Sequence, residues 1–222
     1  MDKNIIYATS NPGKIIEIRR HFNLHNLNVS SLSDFISIKL DPEETGASLG
    51  ENALIKAKAY ADAISRDSGM RGKTFVVLAD DTGIEISGLN GEPGIRVRRW
   101  VGRKMTDEEI ISYTIERMKG LVGEDRRARF KTVLCMIKID GGGTIHKPVM
   151  SEGTLDGSIL EIPNEMRIPG FPFESLFFVD EYKMLLGDLH NLSDKDKSKG
   201  LFNHRERAIE KAIPIIMGML DS

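Results

Sequence analysis

Short apolar runs of the chain predict buried strands. Asn4–Ala8 and Phe75–Ala79 are continuously apolar or nearly so, and Leu27–Leu32 has a similar character. Ile84–Ser87 predicts a further short strand. In the second half, apolar positions predict strands over Phe130–Asp140 and Thr144–Leu155, with three consecutive glycines between them as a turn.

Helical spacing fills the intervals between these runs. After the first strand, Asn11 and Pro12 are a favoured capping residue and first-turn residue, and apolar side chains then recur on one helix face. The alanine-rich segment Glu51–Ile64 predicts a helix, and Thr106 begins another with acidic residues in its first turn. The chain closes with a helix over Arg205–Met219, which Pro214 is expected to kink or divide.

Two further segments are turn-rich or irregular. Gly88–Gly94 predicts a turn, and Pro163–Phe173 is expected to be an irregular loop with three prolines. Strands and helices alternate early in the chain, whereas strands pair locally later on. The pattern therefore predicts an α/β fold with a mixed sheet.

Composition is ordinary for a globular protein, with 40% hydrophobic and 29% charged residues in a chain of 222. The net charge of −2 provides no global attraction to nucleic acid or to a membrane, so an anionic ligand must be held by local cations. Cys135 is the only cysteine, which favours a reducing compartment, and no apolar stretch is long enough to span a membrane. We expect a cytoplasmic protein.

The first candidate site is the segment from Ala8 to Lys14, where a strand leads through a glycine-containing loop into a helix. The free N–H groups and positive end of a helix N-terminus bind anions, and Lys14 adds a charge. The spacing of the P-loop motif is absent. An ordinary capped helix start with one surface lysine is the alternative interpretation.

The second candidate is the acid pair Asp80–Asp81, which directly follows an apolar strand. Two adjacent buried carboxylates repel each other unless a cation offsets their charge, and Mg²⁺ prefers such oxygen ligands. Because neighbouring side chains on a strand point to opposite faces, the two acids can have different roles. A turn or a helix cap is the alternative.

Two weaker sets accompany these. The helix face of Asn52, Lys56 and Tyr60 follows an acidic loop and can address phosphates, or it can be a solvated face. Near the C-terminus, aromatic rings at Phe171 and Phe173 can stack on a base, and basic side chains downstream can donate to carbonyl oxygens. Core packing and a helix start are the alternatives for this last set.

Together and in this order, the four sets resemble the inosine triphosphate pyrophosphatase family, whose members remove non-standard purine nucleotides. The resemblance covers nearly the whole chain, and the matching blocks are Thr9–Lys14, Glu43–Gly46 with Lys56, Ala79–Gly83 with Gly91–Gly94, Gly170–Ser175, and Lys199–Arg205. It implies one domain over residues 1–222, with a long mixed sheet and flanking helices that form two lobes around a central cleft. It also implies a homodimer that binds neither nucleic acid nor membrane.

The implied reaction converts ITP, dITP or XTP to the monophosphate and pyrophosphate with Mg²⁺. The resemblance assigns metal binding to Glu43 and Asp81 and catalysis to Asp81, Asp80 and Lys14. The residues it assigns to the substrate are Thr9, Ser10, Asn11, Pro12, Gly13, Lys14, Lys56, Thr82, Phe171, Phe173, Glu174, Lys199, His204 and Arg205.

The base-recognition block departs most from the family pattern Gly-Phe-Gly-Tyr-Asp-Pro. Pro172 replaces a glycine and removes a backbone N–H, and Glu174 extends the family's aspartate by a methylene. We expect the preference for 6-oxopurines to persist with relaxed or shifted discrimination. A protein that binds triphosphates without turnover is the alternative, and a nucleic-acid-binding protein is disfavoured by the net charge.

Overall fold

A computed structural model of the chain describes residues 3–9, 11–36 and 40–221, which divide into two compact units. Unit 1 comprises residues 1–81, 132–153 and 206–222, and unit 2 comprises residues 82–131 and 154–205.

The strands are β1 Lys3–Tyr7, β2 Val29–Ser30, β3 Thr74–Ile86, β4 Pro93–Gly94, β5 Arg127–Ile139, β6 Val149–Ile159, β7 Phe177–Val179 and β8 Met184–Leu185. The helices are α1 Pro12–Asn23, α2 Leu49–Arg66, α3 Asp107–Arg117, α4 Leu186–His190, α5 Asp194–Lys197 and α6 His204–Asp221.

The strands form a mixed sheet in the order β2-β1-β3-β5-β6-β7-β8, with β4 beside β3. β1 runs parallel to β2 and β3, whereas β4, β7 and β8 join their neighbours antiparallel. The predicted α/β class with a mixed sheet is confirmed. Among the described residues, every helix is too short or too polar to cross a membrane.

In unit 1 the sheet carries a hydrophobic layer on each face, because successive strand residues alternate between the layers. Ile6 and Val77 pack with the alanine-rich face of α2, whereas Ile5 and Val76 pack with α1 and α6. In unit 2 a separate core gathers apolar side chains of α3, α4 and the strand segments of that unit. Each unit therefore has its own hydrophobic core.

The predicted helix starts are confirmed. The Asn11 side chain accepts a hydrogen bond from the Gly13 N–H, with Pro12 as the first residue of α1. Thr106 caps α3 and forms a capping box with Glu109. α6 is continuous across Pro214, so this proline does not divide the helix, and the alternative expectation of a kink stays a prediction.

Several strand boundaries differ from the prediction. β3 is one strand through the acid pair, where we expected an end at Ala79 and a new strand at Ile84. The predicted strand Leu27–Leu32 contains only the two residues of β2, and residues 144–148 precede β6 with an isolated bridge between Ile139 and Ile145. The end of the irregular proline-rich loop is also ordered, as a 3-10 turn that begins at Pro172.

Candidate active site

The two acids of β3 are buried and point to opposite faces of the strand, as the strand geometry predicted. The Asp80 carboxylate faces the side of α1, where Lys14 Nζ donates to both of its oxygens at 3.1 and 3.0 Å. The Tyr7 hydroxyl also donates to Asp80. Asp81 faces the side of α2, where Asn52 Nδ2 donates to Oδ2 at 3.0 Å and Lys56 Nζ lies 3.5 Å from Oδ1. Each carboxylate therefore has its own lysine.

Burial and charge shift the pKa values of this cluster. Burial raises the pKa of Asp81 above its ordinary value, and Lys56 offsets that shift only in part while Glu44 adds to it. For Lys56, burial lowers the pKa, but the charges of Asp81, Asp80 and Glu44 outweigh it and leave the pKa raised. The Asp81 carboxylate is consequently more basic than an exposed aspartate, beside a firmly charged lysine.

The acidic loop before α2 is held by Asn52, the residue that also contacts Asp81. The Gly46 N–H donates to Asn52 Oδ1 at 2.8 Å. A Cβ at Gly46 would lie 2.6 Å from Glu51 Cβ and 2.7 Å from Asn52 Oδ1, so only glycine fits this close approach. Asn52 thus connects the loop to the strand that carries the acids.

Within this loop, the structure distinguishes the two glutamates. Both glutamates are exposed, and Glu44 Oε1 accepts a hydrogen bond from Lys56 Nζ at 2.6 Å. The resemblance assigned a metal to Glu43, and that role stays a prediction. Sequence reasoning noted Glu44 in the loop but gave it no role. The pairing of Glu44 depends on the path of the loop, and its spacing from Lys56 did not reveal it.

At the start of α1, two local hydrogen bonds involve Asn11. The Asn11 N–H donates to Thr9 Oγ1 at 3.1 Å, and its side chain caps Gly13 at 2.9 Å. Pro12 is exposed at the first helical position. Ser10 lies outside the described residues. The remaining groups form a capped helix N-terminus with Lys14 in its first turn, which suits an anion.

In unit 2, the aromatic and basic residues of the base-recognition block come together. The Arg205 guanidinium lies 5.7 Å from the centre of the Phe171 ring, and Arg205 Nη2 is 3.4 Å from Thr82 Oγ1. His204 stacks on Phe130, with ring centres 4.5 Å apart and planes 13° apart. His204 and Arg205 are both buried at the start of α6.

Other residues of that block have different surroundings. Phe173 is 2% exposed and packs edge-on against Phe130 in the core of unit 2, so its ring serves the core in this structure. Glu174 is buried, with Oε1 3.6 Å from His190 Nδ1. His190 also packs against Phe171, with ring centres 5.0 Å apart. The longer Glu174 side chain thus meets a histidine that sequence reasoning did not select.

Arg98 and Asp107 anchor the loop that leads to Phe171. The Gly170 N–H donates to Asp107 Oδ2 at 2.7 Å, and Arg98 Nη2 donates to the Gly170 carbonyl at 2.7 Å. Arg98 and Asp107 also pair with each other. Gly170 has φ 86°, a left-handed conformation that favours glycine. The loop is therefore held at both the N–H and the carbonyl of Gly170.

Lys199, the predicted base contact, is exposed and pairs with Asp196 at 2.8 Å. Lys197 is instead the buried lysine of this segment, at 2% exposure. Lys197 is the last residue of α5, whereas Lys199 lies two residues beyond the end of this helix. The role of Lys199 in base binding stays a prediction.

Comparison with known proteins identifies the family. A family model described as the Ham1 family matches residues 5–215. The chain belongs to the Ham1 family. The dITP/XTP pyrophosphatase of Bacillus anthracis is 35% identical over 209 residues, which cover 94% of this chain and 94% of that protein.

A second relative and a solved structure are also similar to this chain. The dITP/XTP pyrophosphatase of Thermus thermophilus is 36% identical over 205 residues, covering 92% of this chain and 87% of that protein. The Staphylococcus aureus Ham1 protein has a similar structure, with a TM-score of 0.70 at 30% identity, over 98% of this chain and 99% of that one. Membership in the Ham1 family thus confirms the resemblance found in the sequence blocks.

Proposed function

We propose that this protein is a nucleoside-triphosphate pyrophosphatase that hydrolyses ITP, dITP and XTP to the monophosphate and pyrophosphate. The observation that carries the proposal is the arrangement around β3, where two buried acids each meet a lysine from a different helix. The named activity of the Bacillus anthracis and Thermus thermophilus relatives supports it. Lys14, Lys56 and the acids of β3 would serve the triphosphate, and Phe171, His204 and Arg205 would serve the base.

Hydrolysis at the α-phosphorus requires a base and a means of neutralising the leaving pyrophosphate. The water oxygen forms a bond to the α-phosphorus, the bond to the bridging oxygen breaks, and pyrophosphate departs with that oxygen. Asp81 would accept a proton of the attacking water as the general base. Lys14 and Lys56 would neutralise charge on the phosphates, and the α1 N-terminus would donate N–H groups to them.

A divalent metal fits this set of residues. Carboxylates are hard oxygen ligands, and the raised pKa of Asp81 reports a charge that burial disfavours and that a nearby cation would stabilise. We propose that Asp81 and Glu43 hold Mg²⁺, with Asp80 and Glu44 contributing negative charge nearby. When bound, the ion would withdraw charge from phosphate oxygens and favour departure of pyrophosphate.

For the base, unit 2 offers hydrogen-bond donors and the aromatic ring of Phe171, which is 9% exposed. The Arg205 guanidinium has only donors, and His204 supplies an N–H, so acceptor oxygens on the purine are favoured. Hypoxanthine and xanthine carry an oxygen at position 6, where adenine carries an amine donor. Adenine would leave the buried donors unpaired, so we propose that it is rejected. Phe171 would stack on the ring.

The test is a substrate panel of ITP, dITP, XTP, GTP and ATP, each incubated with the protein with and without Mg²⁺, while pyrophosphate release is followed. We expect release from the first three with Mg²⁺ and little from ATP. Folded protein that releases no pyrophosphate from any of them would overturn the proposal.

The altered block around Pro172 supports one variant of this proposal, in which base discrimination is relaxed. The Glu174 carboxylate oxygen Oε1 lies 3.6 Å from His190 Nδ1. Substantial release from GTP in the same panel would indicate this relaxed specificity. Tight binding of ITP without product over hours would instead indicate a binding protein without turnover. We further propose that the protein is cytoplasmic and that it forms a homodimer. Sedimentation of the purified protein would test the dimer.

A further inference from the structure

A cluster of two histidines and a glutamate lies in unit 1 on the elements α1 and α6. His21 is in the last turn of α1, His25 follows two residues after the helix ends, and Glu210 is on α6. His21 Nε2 and His25 Nε2 lie 2.7 and 2.6 Å from the same oxygen, Glu210 Oε1. The three potential ligand atoms all lie within 4.8 Å of one another. Two imidazole nitrogens and one carboxylate oxygen therefore converge on one point.

The His21 ring has a carboxylate on each side. Besides Glu210 at Nε2, Glu206 Oε1 lies 3.8 Å from Nδ1. A neutral imidazole carries one N–H for these two carboxylates. The separations of 2.7 and 2.6 Å are hydrogen-bond distances, so a metal ion that binds here would displace the bridging protons and move these ligand atoms apart.

We propose that His21, His25 and Glu210 bind a divalent transition-metal ion, with Zn²⁺ as the ion that fits best. Two imidazoles and one carboxylate are ligands that zinc accepts, whereas Mg²⁺ prefers oxygen ligands alone. Glu206 then acts as the outer carboxylate that orients a ligating histidine through its other ring nitrogen. The side chains of His25 and Glu210 are each 31% exposed, so an ion can enter from solvent and keep a water as a further ligand.

The position in the fold indicates a structural role for this ion. Asn11, which caps the phosphate-binding end of α1, precedes His21 by ten residues, or about 15 Å along a helix. His25 and Glu210 are 185 residues apart in sequence. The ion would join the end of α1 to α6 and stabilise unit 1. It is separate from the acids of β3 and has no part in the proposed hydrolysis.

The test uses untagged protein stripped with EDTA, dialysed, and kept in excess Mg²⁺ so that the carboxylate site around Asp81 does not report zinc. Calorimetric titration with Zn²⁺ should show one ion bound per chain, Co²⁺ should give a visible absorption spectrum, and Zn²⁺ should raise the melting temperature. His25→Ala and Glu210→Gln should each weaken zinc binding by at least about 100-fold. Glu206→Gln should weaken it by about 10-fold, as changes behind a ligand do.

His146→Ala is the matched control, because His146 is an exposed histidine outside the cluster. Its Nε2 lies 3.4 Å from Asp140 Oδ2. This variant should bind zinc as the parent does. Absence of zinc uptake by the parent would overturn the proposal, as would uptake unchanged in both His25→Ala and Glu210→Gln. If these variants melt at lower temperature while Zn²⁺ leaves the melting temperature of the parent unchanged, the cluster is an ion-pair network only, which also refutes a metal site.

Discussion

Asp80 and Asp81 are neighbours in sequence, yet their carboxylates lie on opposite faces of β3 and pair with lysines from different helices. Lys14 holds both oxygens of Asp80, whereas Lys56 and Asn52 meet Asp81. Because both oxygens of Asp80 accept from Lys14 Nζ, Asp80 holds the lysine ammonium in place. Asp81 is held less tightly and keeps a raised pKa, which suits it to accept a proton.

Asp81→Asn should abolish most of the turnover of ITP. The amide cannot accept a proton, and loss of a general base costs about 10²–10⁴-fold in rate. The measurement is pyrophosphate release at saturating ITP and Mg²⁺. Asp156→Asn is the control, since Asp156 is an exposed acid that pairs with Arg129. Near-normal turnover in Asp81→Asn would contradict the assigned role.

The same substitution should stabilise the metal-free protein at neutral pH. Folding raises the pKa of Asp81, so the ionised carboxylate destabilises the folded state at pH values above that pKa. Below the unfolded pKa both states are protonated and the effect vanishes. The melting temperature of Asp81→Asn, measured in EDTA, should therefore exceed that of the parent by an amount that grows as pH rises from about 4 through the folded pKa. A constant or negative difference across that range would show that the carboxylate is not destabilising.

Substitutions of Lys56 and Glu44 should shift the pKa of Asp81 in opposite directions. Lys56 lowers that pKa and Glu44 raises it. Carboxyl NMR titration of metal-free protein labelled with ¹³C-aspartate should give a higher pKa in Lys56→Gln and a lower one in Glu44→Gln. Shifts of the same sign in both variants would show that the loop rearranges when either partner is lost.

Gly46→Ala should impair turnover, because its Cβ would collide with Glu51 and with the Asn52 side chain. The collision displaces Asn52 from Asp81, so kcat/KM should fall by about 10-fold or more, equivalent to at least 1.4 kcal/mol. Gly218→Ala is the control: a Cβ there meets no heavy atom within 4 Å, and the position is inside α6. That variant should gain about 0.5–1 kcal/mol of stability with unchanged kinetics. A Gly46→Ala enzyme with parental kcat/KM would argue against the Asn52 connection.

Phe171→Ala should raise the KM for ITP. Loss of base stacking costs about 1–3 kcal/mol, or about 5-fold to 150-fold in affinity. Phe171→Tyr keeps an aromatic face and should bind ITP nearly as well as the parent. The comparison is steady-state KM with ITP for the three proteins, and equal values for the alanine and tyrosine variants would exclude a stacking role.

Local sequence signals were sufficient for the features that depend on neighbours in the chain. Asn11 with Pro12 and Thr106 with Glu109 predicted two helix starts, since caps act within one turn. Alternation along a strand likewise predicted that Asp80 and Asp81 diverge. The family resemblance then supplied the order of the blocks.

Features that depend on distant partners could not be predicted in this way. We expected this strand to end at Ala79, where the apolar run stops, but β3 continues through both acids. Lys14 and Lys56 pair with them from 66 and 25 residues away. Pairing of Glu44 with Lys56 depends on a loop without regular structure. The cluster of His21 and Glu210 joins opposite ends of the chain and has no local signal.

The pairing of Lys56 with Glu44 also has a consequence for the end of the catalytic cycle. A triphosphate bound by Lys56, as proposed, would compete with Glu44 for the ammonium, so the affinity for nucleotide would depend on the difference between two ion pairs. After cleavage, Glu44 can reclaim the lysine as pyrophosphate dissociates. The carboxylate thereby competes with the product and should speed its release, which protects the enzyme from inhibition by the pyrophosphate it makes.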